Sequence, residues 1–285
     1  MTENARLADR LLAGAVWLAA TAVTGVFLWL LTDLLREGSA ALSVSFLVDE
    51  PRDAGRAGGI APILVSTLLI LGVCLAVALP LSLACAAYLA EYTRREERAG
   101  RTVRVSLEVL AGMPSIVFGL FGNALFCITL GLGFSILSGG LTLACMALPL
   151  MIRATEEGFR AVPGDYRSGA AALGLSRWTT LTHILLPAAL PGLMVGTVLG
   201  IGRALAETAA LIFTSGYVDR LPDSLMDSGR ALSIHIYDLA MNVPGGERNA
   251  YAAALVLIAL LLVINVLASR ATLGLLRRGY AGAGA

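Results

Sequence analysis

Six long apolar runs constrain the fold of this 285-residue chain more than any other feature of its sequence. The runs cover residues 11–35, 60–89, 105–130, 136–152, 190–213 and 251–268. An α-helix needs roughly 20 apolar residues to cross a bilayer, and shorter polar segments separate these runs. The pattern therefore predicts an all-α, polytopic membrane protein with six transmembrane helices in a lipid bilayer.

The composition agrees with a lipid environment and excludes some classes of protein. Charged residues make up 14% of the chain, against about a quarter in soluble domains. All 21 basic residues are arginine, so the chain lacks the lysine of a G-x-x-x-x-G-K-[ST] phosphate loop and cannot be a P-loop ATPase by itself. The net charge of +1 predicts no nucleic-acid partner.

The cysteines and histidines give no sign of a metal site. The cysteines lie inside apolar runs without C-x-x-C spacing, and H-E-x-x-H is absent. The residues are Cys74, Cys85, Cys127, Cys145, His183 and His235. We therefore expect inert buried thiols, ordinary loop histidines and no metal.

The arginines are distributed unequally between the two sides of the predicted membrane protein. Fourteen lie on one side, namely Arg6, Arg10, Arg94, Arg95, Arg98, Arg101, Arg104, Arg153, Arg160, Arg167, Arg177, Arg270, Arg277 and Arg278. Six lie on the other, namely Arg36, Arg52, Arg56, Arg220, Arg230 and Arg248. Because cytoplasmic loops carry the excess of basic residues, both termini are predicted to be cytoplasmic.

Three regions follow from this topology. Residues 1–59 form an N-terminal tail, a first helix and an extracytoplasmic loop, and the first run is too long for a cleaved signal peptide. Residues 60–275 form the membrane core and include a cytoplasmic loop at 153–187. Residues 276–285 form a cytoplasmic tail.

Part of the cytoplasmic loop is patterned more strongly than a passive connector. Residues 167–187 read RSGAAALGLSRWTTLTHILLP. Ala170 to Leu173 favour helix, Gly174 can adopt a left-handed turn, and Ser176 can cap a second short helix. We expect a rigid projection that docks a partner, with an ordinary amphipathic loop as the alternative.

This loop resembles the cytoplasmic signature of ABC-importer membrane subunits. That signature is E-A-A, three residues, Gly, nine residues and I-x-L-P. The matching positions are Ala170, Gly174, Ile184, Leu186 and Pro187. Ser168 and Gly169 stand where the family usually has Glu and the first Ala. The resemblance implies that the loop couples the permease to an ATPase.

Five further stretches resemble the phosphate-specific, PstA-type branch of these permeases. They are residues 58–69, 110–122, 147–163, 203–214 and 234–257. The resemblance implies the six-span MetI-like permease fold and import of inorganic phosphate across the bacterial plasma (inner) membrane. It also implies a heterodimer with a second permease subunit, an ABC ATPase dimer and an extracytoplasmic phosphate-binding protein. By this resemblance the chain is not an enzyme and binds no cofactor, since ATP is used by the partner subunit.

Arg203 and Glu207 are the candidate residues of the substrate pathway. They are predicted to lie in the fifth span, four residues apart and so on one helical face. Charges at bilayer depth usually face a protein interior or an aqueous path, and the planar donors of arginine match phosphate oxygens. Glu207 can hold the guanidinium in position. The alternative is a self-satisfied pair that only locks the packing of the spans.

Arg153, at the cytoplasmic end of the fourth span, is a second candidate for the exit path of an anion. Its alternative role is that of an interfacial anchor. Glu108 is expected near the start of the third span, where it would interact with the helix dipole. Gly112 and Pro114 interrupt that span with residues that loosen or kink a helix.

Three rival functions stay open at this point. A permease for another oxyanion, such as molybdate or sulfate, would use the same loop and a similar arginine. An intramembrane enzyme needs facing catalytic groups inside the spans, where only Arg203 and Glu207 are charged candidates. A passive channel would conduct without ATP.

Overall fold

Helices form most of the described part of the chain. A computed structural model describes the backbone of residues 3–93 and 97–282 and the side chains of 9–93 and 97–270. The helices are α1 (Glu3–Ser39), α2 (Val44–Val48), α3 (Ala61–Ala87), α4 (Arg98–Ala111), α5 (Ser115–Gly122), α6 (Ile136–Ala161), α7 (Gly164–Ala172), α8 (Arg177–Thr180), α9 (Leu186–Leu205), α10 (Ala209–Ile212), α11 (Leu232–Met241) and α12 (Glu247–Gly282). Arg94 and Arg95, the side chains of Arg6, Arg277 and Arg278, and part of the predicted tail at 276–285 lie outside the described residues.

Turns of π-helix, one small hairpin and the 3-10 turn Asp53–Gly55 between its strands complete the described secondary structure. Turns of π-helix extend α3 over Tyr88–Tyr92, extend α5 over Asn123–Thr129 and join α8 to α9 over Leu181–Leu185. The strands β1 (Pro51–Arg52) and β2 (Ala57–Gly58) pair antiparallel between α2 and α3. The hairpin lies against α11, since Gly55 between its strands contacts His235 of that helix.

Five helices in the described residues are long and apolar enough to cross a membrane. They cover Asp9–Ser39, Ala61–Tyr92, Ile136–Ala161, Arg177–Leu205 and Glu247–Arg270. A bent pair, Arg98–Ala111 with Ser115–Thr129, brings the number to six when it is counted as one span. The predicted all-α membrane fold is confirmed, with five unbroken spans and one bent pair.

The third span, predicted at 105–130 with an interruption at Gly112 and Pro114, consists of two helices. The chain bends by 102° between α4 and α5. Pro114 precedes α5 with φ −60° and ψ 141°, and it has no N–H to continue the ladder of α4. Its ring also disfavours the helical conformation at Met113. The predicted interruption of this span at Gly112 and Pro114 is therefore confirmed, and it takes the form of a sharp bend between two helices.

The fifth span is also placed differently from the predicted range of 190–213. One run of helix covers Arg177–Leu205, so the expected second short helix of the cytoplasmic loop is the start of this span. Pro187 is accommodated after the π-helical turn, where the Leu186 N–H donates to the Leu181 carbonyl five residues back. The last part of the loop, from Arg177, and the fifth span are thus one continuous helix.

The core of the subunit forms where α3, α6 and α9 pack together. Its largest cluster of buried apolar side chains includes Ile70, Leu143, Met146, Met151 and Ile201. Glycines bring α6 and α9 into backbone contact, because a Cβ on Gly158 would lie 2.6 Å from the Cα of Gly192. Small residues at such crossings permit close packing of membrane helices.

Helix α1 lies beside this core. Apolar side chains such as Trp17 and Trp29 are exposed along it. Its outer end meets α12, where a Cβ on Gly38 would contact Leu255. The first span is therefore peripheral to the helices that carry the candidate sites.

Candidate functional site

Arg203 lies in the last turn of α9, at one end of a membrane-spanning helix. Its side chain is exposed, and its Nη2 lies 4.0 Å from the Sδ of Met146 on α6. Within the described residues it forms no ion pair. A guanidinium that is not neutralised by its own chain can receive an anion.

Glu207 does not share a helical face with Arg203, so that prediction is wrong. Helix α9 ends at Leu205, and Glu207 lies in the break before α10. Its buried carboxylate accepts a hydrogen bond from the Ala210 N–H at 3.1 Å, and its carbonyl accepts one from the Ser233 Oγ at 2.5 Å. Glu207 therefore caps α10 and links it to α11.

Arg153 lies on α6 and its Nη2 is 3.7 Å from the Oε1 of Glu108. Both side chains are more than half exposed, so this ion pair contributes little to stability. Glu108 is in the last turn of α4, close to the negative end of the helix dipole, and its predicted position near a helix start is wrong. The two residues border a cavity of about 150 Å³ between α4 and α6.

A buried carboxylate in the same region joins α4 to α6. The Oε1 of Glu156 accepts from the Nε of Arg104 and from the Nε of Arg160, both at 2.9 Å. Each arginine also donates to the carbonyl of Leu89 at the end of α3, at 2.9 and 3.2 Å. Sequence reasoning missed this cluster because Arg104 and Glu156 are 52 positions apart. The four-residue spacing of Glu156 and Arg160, which places them on one helical face, was the sequence pattern that could have indicated part of this cluster.

The loop that is predicted to be cytoplasmic forms the turn that its residues predict. Gly174 has φ +70°, and the Leu175 N–H donates to the Ala170 carbonyl at 3.0 Å. Ser176 caps the next helix, since its Oγ accepts from the Thr179 N–H at 3.1 Å. Ala170 is buried, whereas Leu173 at the tip is 78% exposed. We call residues 164–180 the docking element.

The other signature residues lie behind the exposed tip. Ile184 is in the π-helical turn, and Leu186 and Pro187 begin α9. Trp178 is 68% exposed, so together with Leu173 it gives the docking element an apolar outer face. Such a face is typical of a surface that meets another protein.

Replacing Gly174 with alanine is expected to destabilise the docking element by roughly 1 kcal/mol, since a Cβ is disfavoured at positive φ. Faster hydrogen exchange of residues 164–180 would report this loosening. Gly169→Ala is the matched control, because Gly169 is helical and a Cβ there meets nothing within 4 Å. Equal exchange rates in the two variants would contradict the assignment of Gly174 as the essential turn.

His235 on α11 is buried against the hairpin of β1 and β2. Neither ring nitrogen has a hydrogen-bond partner among the described residues, and a Cβ on Gly55 would lie 2.8 Å from its Cε1. Burial, assisted by the charge of Arg230, lowers the pKa of His235 from 6.5 to about 4, although Asp238 opposes the shift. The imidazole is therefore neutral in the folded protein at neutral pH.

This histidine predicts a loss of stability in acid. Above pH 6.5 the ring is neutral in both the folded and unfolded chains, so its contribution to stability is full. As the pH falls from 6.5 towards 4 the unfolded chain takes up the proton first, which costs up to roughly 3 kcal/mol. Thermal unfolding of His235→Gln should lose this component, whereas His183→Gln, at an exposed histidine, should keep it. The same pH dependence in both variants would contradict the prediction.

The fold and these sites define a class of protein. A set of membrane-spanning helices carries an exposed cation at one end of a span and an apolar docking element at the other end of the same helix. This is the arrangement of a membrane permease subunit that works with a separate partner protein.

Comparison with known proteins gives the family. Residues 78–278 match the family described as "Binding-protein-dependent transport system inner membrane component", and the chain belongs to this family. It is therefore a multi-pass inner-membrane component of a transport system that depends on a binding protein. The resemblance drawn from its motifs is confirmed.

Alignments with similar permeases cover most of the chain. It is 30% identical over 280 residues to the "Probable ABC transporter permease protein YqgI" of Bacillus subtilis, covering 93% of this chain and 95% of the relative. It is 37% identical over 215 residues to the "Phosphate transport system permease protein PstA 1" of Mycobacterium tuberculosis H37Rv, covering 75% and 69%. It is 30% identical to PstA of Haemophilus influenzae, covering 84% of each chain.

Solved structures show the same fold at low sequence identity. A bacterial alginate ABC transporter in complex with an alginate pentasaccharide-bound periplasmic protein superposes with a TM-score of 0.64 at 15% identity, covering 91% of this chain and 95% of that one. The MetNI methionine ABC transporter in an inward-facing conformation gives a TM-score of 0.55 at 17% identity, covering 78% and 94%. The predicted MetI-like importer permease fold is therefore confirmed.

Proposed function

We propose that this chain is a permease subunit of an ATP-driven importer that moves inorganic phosphate into the cytoplasm. The observation that supports phosphate as the substrate is the 37% identity to PstA 1, which extends over 75% of the chain. The chain would pair with a second permease subunit, and two copies of an ABC ATPase would supply the energy. A phosphate-binding protein would deliver the anion from outside.

Arg203 is the residue proposed to bind the anion. A guanidinium stays charged at any working pH and offers a planar fork of donors to the oxygens of phosphate. Since Arg203 is exposed and unpaired in the described part of the chain, it is available for such a contact. Arg153 is proposed as a later contact on the cytoplasmic side, where exchange of Glu108 for the anion would cost little.

One helix supports the proposed transmission of motion. The run Arg177–Leu205 carries Trp178 of the docking element near one end and Arg203 near the other. Its 29 residues would span about 43 Å at the helical rise, which is sufficient to cross a bilayer. A displacement that the ATPase imposes on the docking element would therefore reach Arg203 through continuous helix.

The orientation of the chain belongs to the same proposal. The docking element and the fourteen-arginine side would face the cytoplasm with both termini, while the hairpin and α11 would face the binding protein. ATP would bind the partner ATPase, and its higher affinity for one state of the complex would shift the pathway between outward and inward openings.

Purification from native membranes with competition assays tests this function. The permease should co-purify with an ATPase, and unlabelled phosphate should compete with labelled phosphate for uptake much better than molybdate or sulfate. Preferential competition by molybdate or sulfate would favour the other oxyanion. Uptake that persists without ATP would favour a passive channel.

A further inference from the structure

Arginines from three elements converge on the π-helical turn that ends α3. Arg104 of α4 and Arg160 of α6 both donate to the carbonyl of Leu89 in this turn. Arg167 of α7 binds the carboxylate of Glu91, two residues further on. The turn is therefore the place where α4, α6 and the docking element meet α3.

Arg167 makes the most extensive set of contacts in this group. Its Nη2 lies 2.6 Å from the Oε1 of Glu91, and its Nε lies 3.1 Å from Oε2. Its Nη1 donates to the carbonyl of Val162 at 2.9 Å, and its Nη2 donates to that of Phe159 at 2.8 Å. One guanidinium thus joins α7 to the carboxylate on α3 and to the last carbonyls of α6.

The rest of α7 is weakly attached to the membrane core. Ala170 is its buried residue, and Leu173 just after it is exposed. A two-point arginine–carboxylate pair is stronger and more directional than a single neutral hydrogen bond. The side chains of Arg167 and Glu91 are also only 32% and 15% exposed, which limits screening by solvent. Arg167 is therefore the principal polar link between the docking element and α3.

We propose that Arg167 is a positioning residue that transmits movement of the docking element to the end of α3 through Glu91. This inference rests on the proposed function, in which an ATPase moves the docking element. When α7 shifts, the Arg167–Glu91 pair transmits the displacement to the π-helical turn. Because Arg104 and Arg160 bond to Leu89 in that turn, α4 and α6 share the displacement.

The test uses the complete transporter, purified with its partner subunits and reconstituted in vesicles. Arg167→Ala, Glu91→Gln and the double variant are compared for labelled phosphate transported per ATP hydrolysed. Each should lower this ratio by about tenfold, within the range of ordinary coupling energies, while the ATPase still co-purifies. The double variant should be no worse than either single variant, because the two residues act as one pair.

Hydrogen exchange of residues 164–172 gives a second readout that does not depend on phosphate. Arg167→Ala and Glu91→Gln should both speed this exchange. Glu91→Gln keeps the shape of the side chain, so it still tests the inference if the alanine variant folds poorly. Arg101→Ala is the control, since Arg101 is an exposed residue of α4 that forms no ion pair in the described part of the chain. It should change neither readout.

The outcomes separate this inference from the proposed function. If the wild-type complex transports phosphate with ATP but Glu91→Gln keeps the wild-type ratio, the inference is overturned and the function stands. If the wild-type complex transports no phosphate, the function fails and hydrogen exchange decides the inference. Unchanged exchange of residues 164–172 in both variants would then overturn it, and faster exchange would support it.

Discussion

Replacing Arg203 with alanine should lower ATP-dependent phosphate uptake by roughly ten- to a hundredfold while the subunit remains inserted and assembled. The estimate corresponds to about 1.5–3 kcal/mol for hydrogen bonds to a charged group. Arg203 is exposed, and its nearest polar contact, the Sδ of Met146, is a weak acceptor at 4.0 Å. Its removal therefore leaves no buried partner unsatisfied in the described residues, so the loss should appear in transport. Uptake into vesicles, with ATPase co-purification measured in parallel, checks this.

Arg203→Lys provides the matched control. Lysine keeps the positive charge but loses the planar fork, so uptake should lie between the wild-type and alanine values. If Arg203→Ala transports normally, the residue does not contact the anion. If the alanine variant instead fails to accumulate in the membrane, Arg203 serves packing, as the alternative interpretation of the sequence holds.

Replacing Gly192 with alanine should destabilise the folded subunit by about 1–3 kcal/mol, the usual cost of overpacking a core. A Cβ at this position would meet the backbone of Gly158, which cannot rotate away as a flexible side chain can. The helices α6 and α9 would have to separate, and α9 carries Arg203 and continues the run that begins at Arg177 in the docking element. Thermal unfolding of the purified complex measures the loss.

Gly202→Ala is the control on the same helix. A Cβ on Gly202 meets no described atom within 4 Å, and alanine favours helix over glycine, so stability should be equal or slightly higher. Equal unfolding temperatures for Gly192→Ala and Gly202→Ala would show that the α6–α9 crossing tolerates a wider separation than the structure indicates.

The elements that the sequence predicts well are those set by local chemistry. Apolar length identifies the spans, because each helix must satisfy its own backbone hydrogen bonds in lipid. The turn at Gly174 and the cap at Ser176 were also predictable, since both depend on residues within five positions of each other. The resemblance of the motifs then identified the family.

The elements that the sequence does not predict depend on breaks and on distant partners. Gly112 and Pro114 signal a loosened helix but do not give the 102° bend. The four-residue spacing of Arg203 and Glu207 implies a shared face only while the helix continues, and it ends at Leu205. The pair of Glu91 and Arg167 joins residues 76 positions apart, so no local pattern reveals it.

The resulting arrangement relates the two candidate sites by one helix. Trp178 of the docking element, Gly192 at the α6–α9 crossing and Arg203 all belong to the run that begins at Arg177. Movement of that helix relative to α3 and α6 would change both ends together. The Arg167–Glu91 pair is the proposed link that carries the same movement to α3.

The most direct test of this account is ATP-dependent uptake of labelled phosphate by vesicles that contain the purified permease with its co-purifying subunits and a phosphate-binding protein. We predict accumulation of phosphate that requires ATP and the binding protein, and that falls roughly tenfold or more in Arg203→Ala. A purified complex without an ATPase, or uptake that continues unchanged when ATP is removed, would contradict the account.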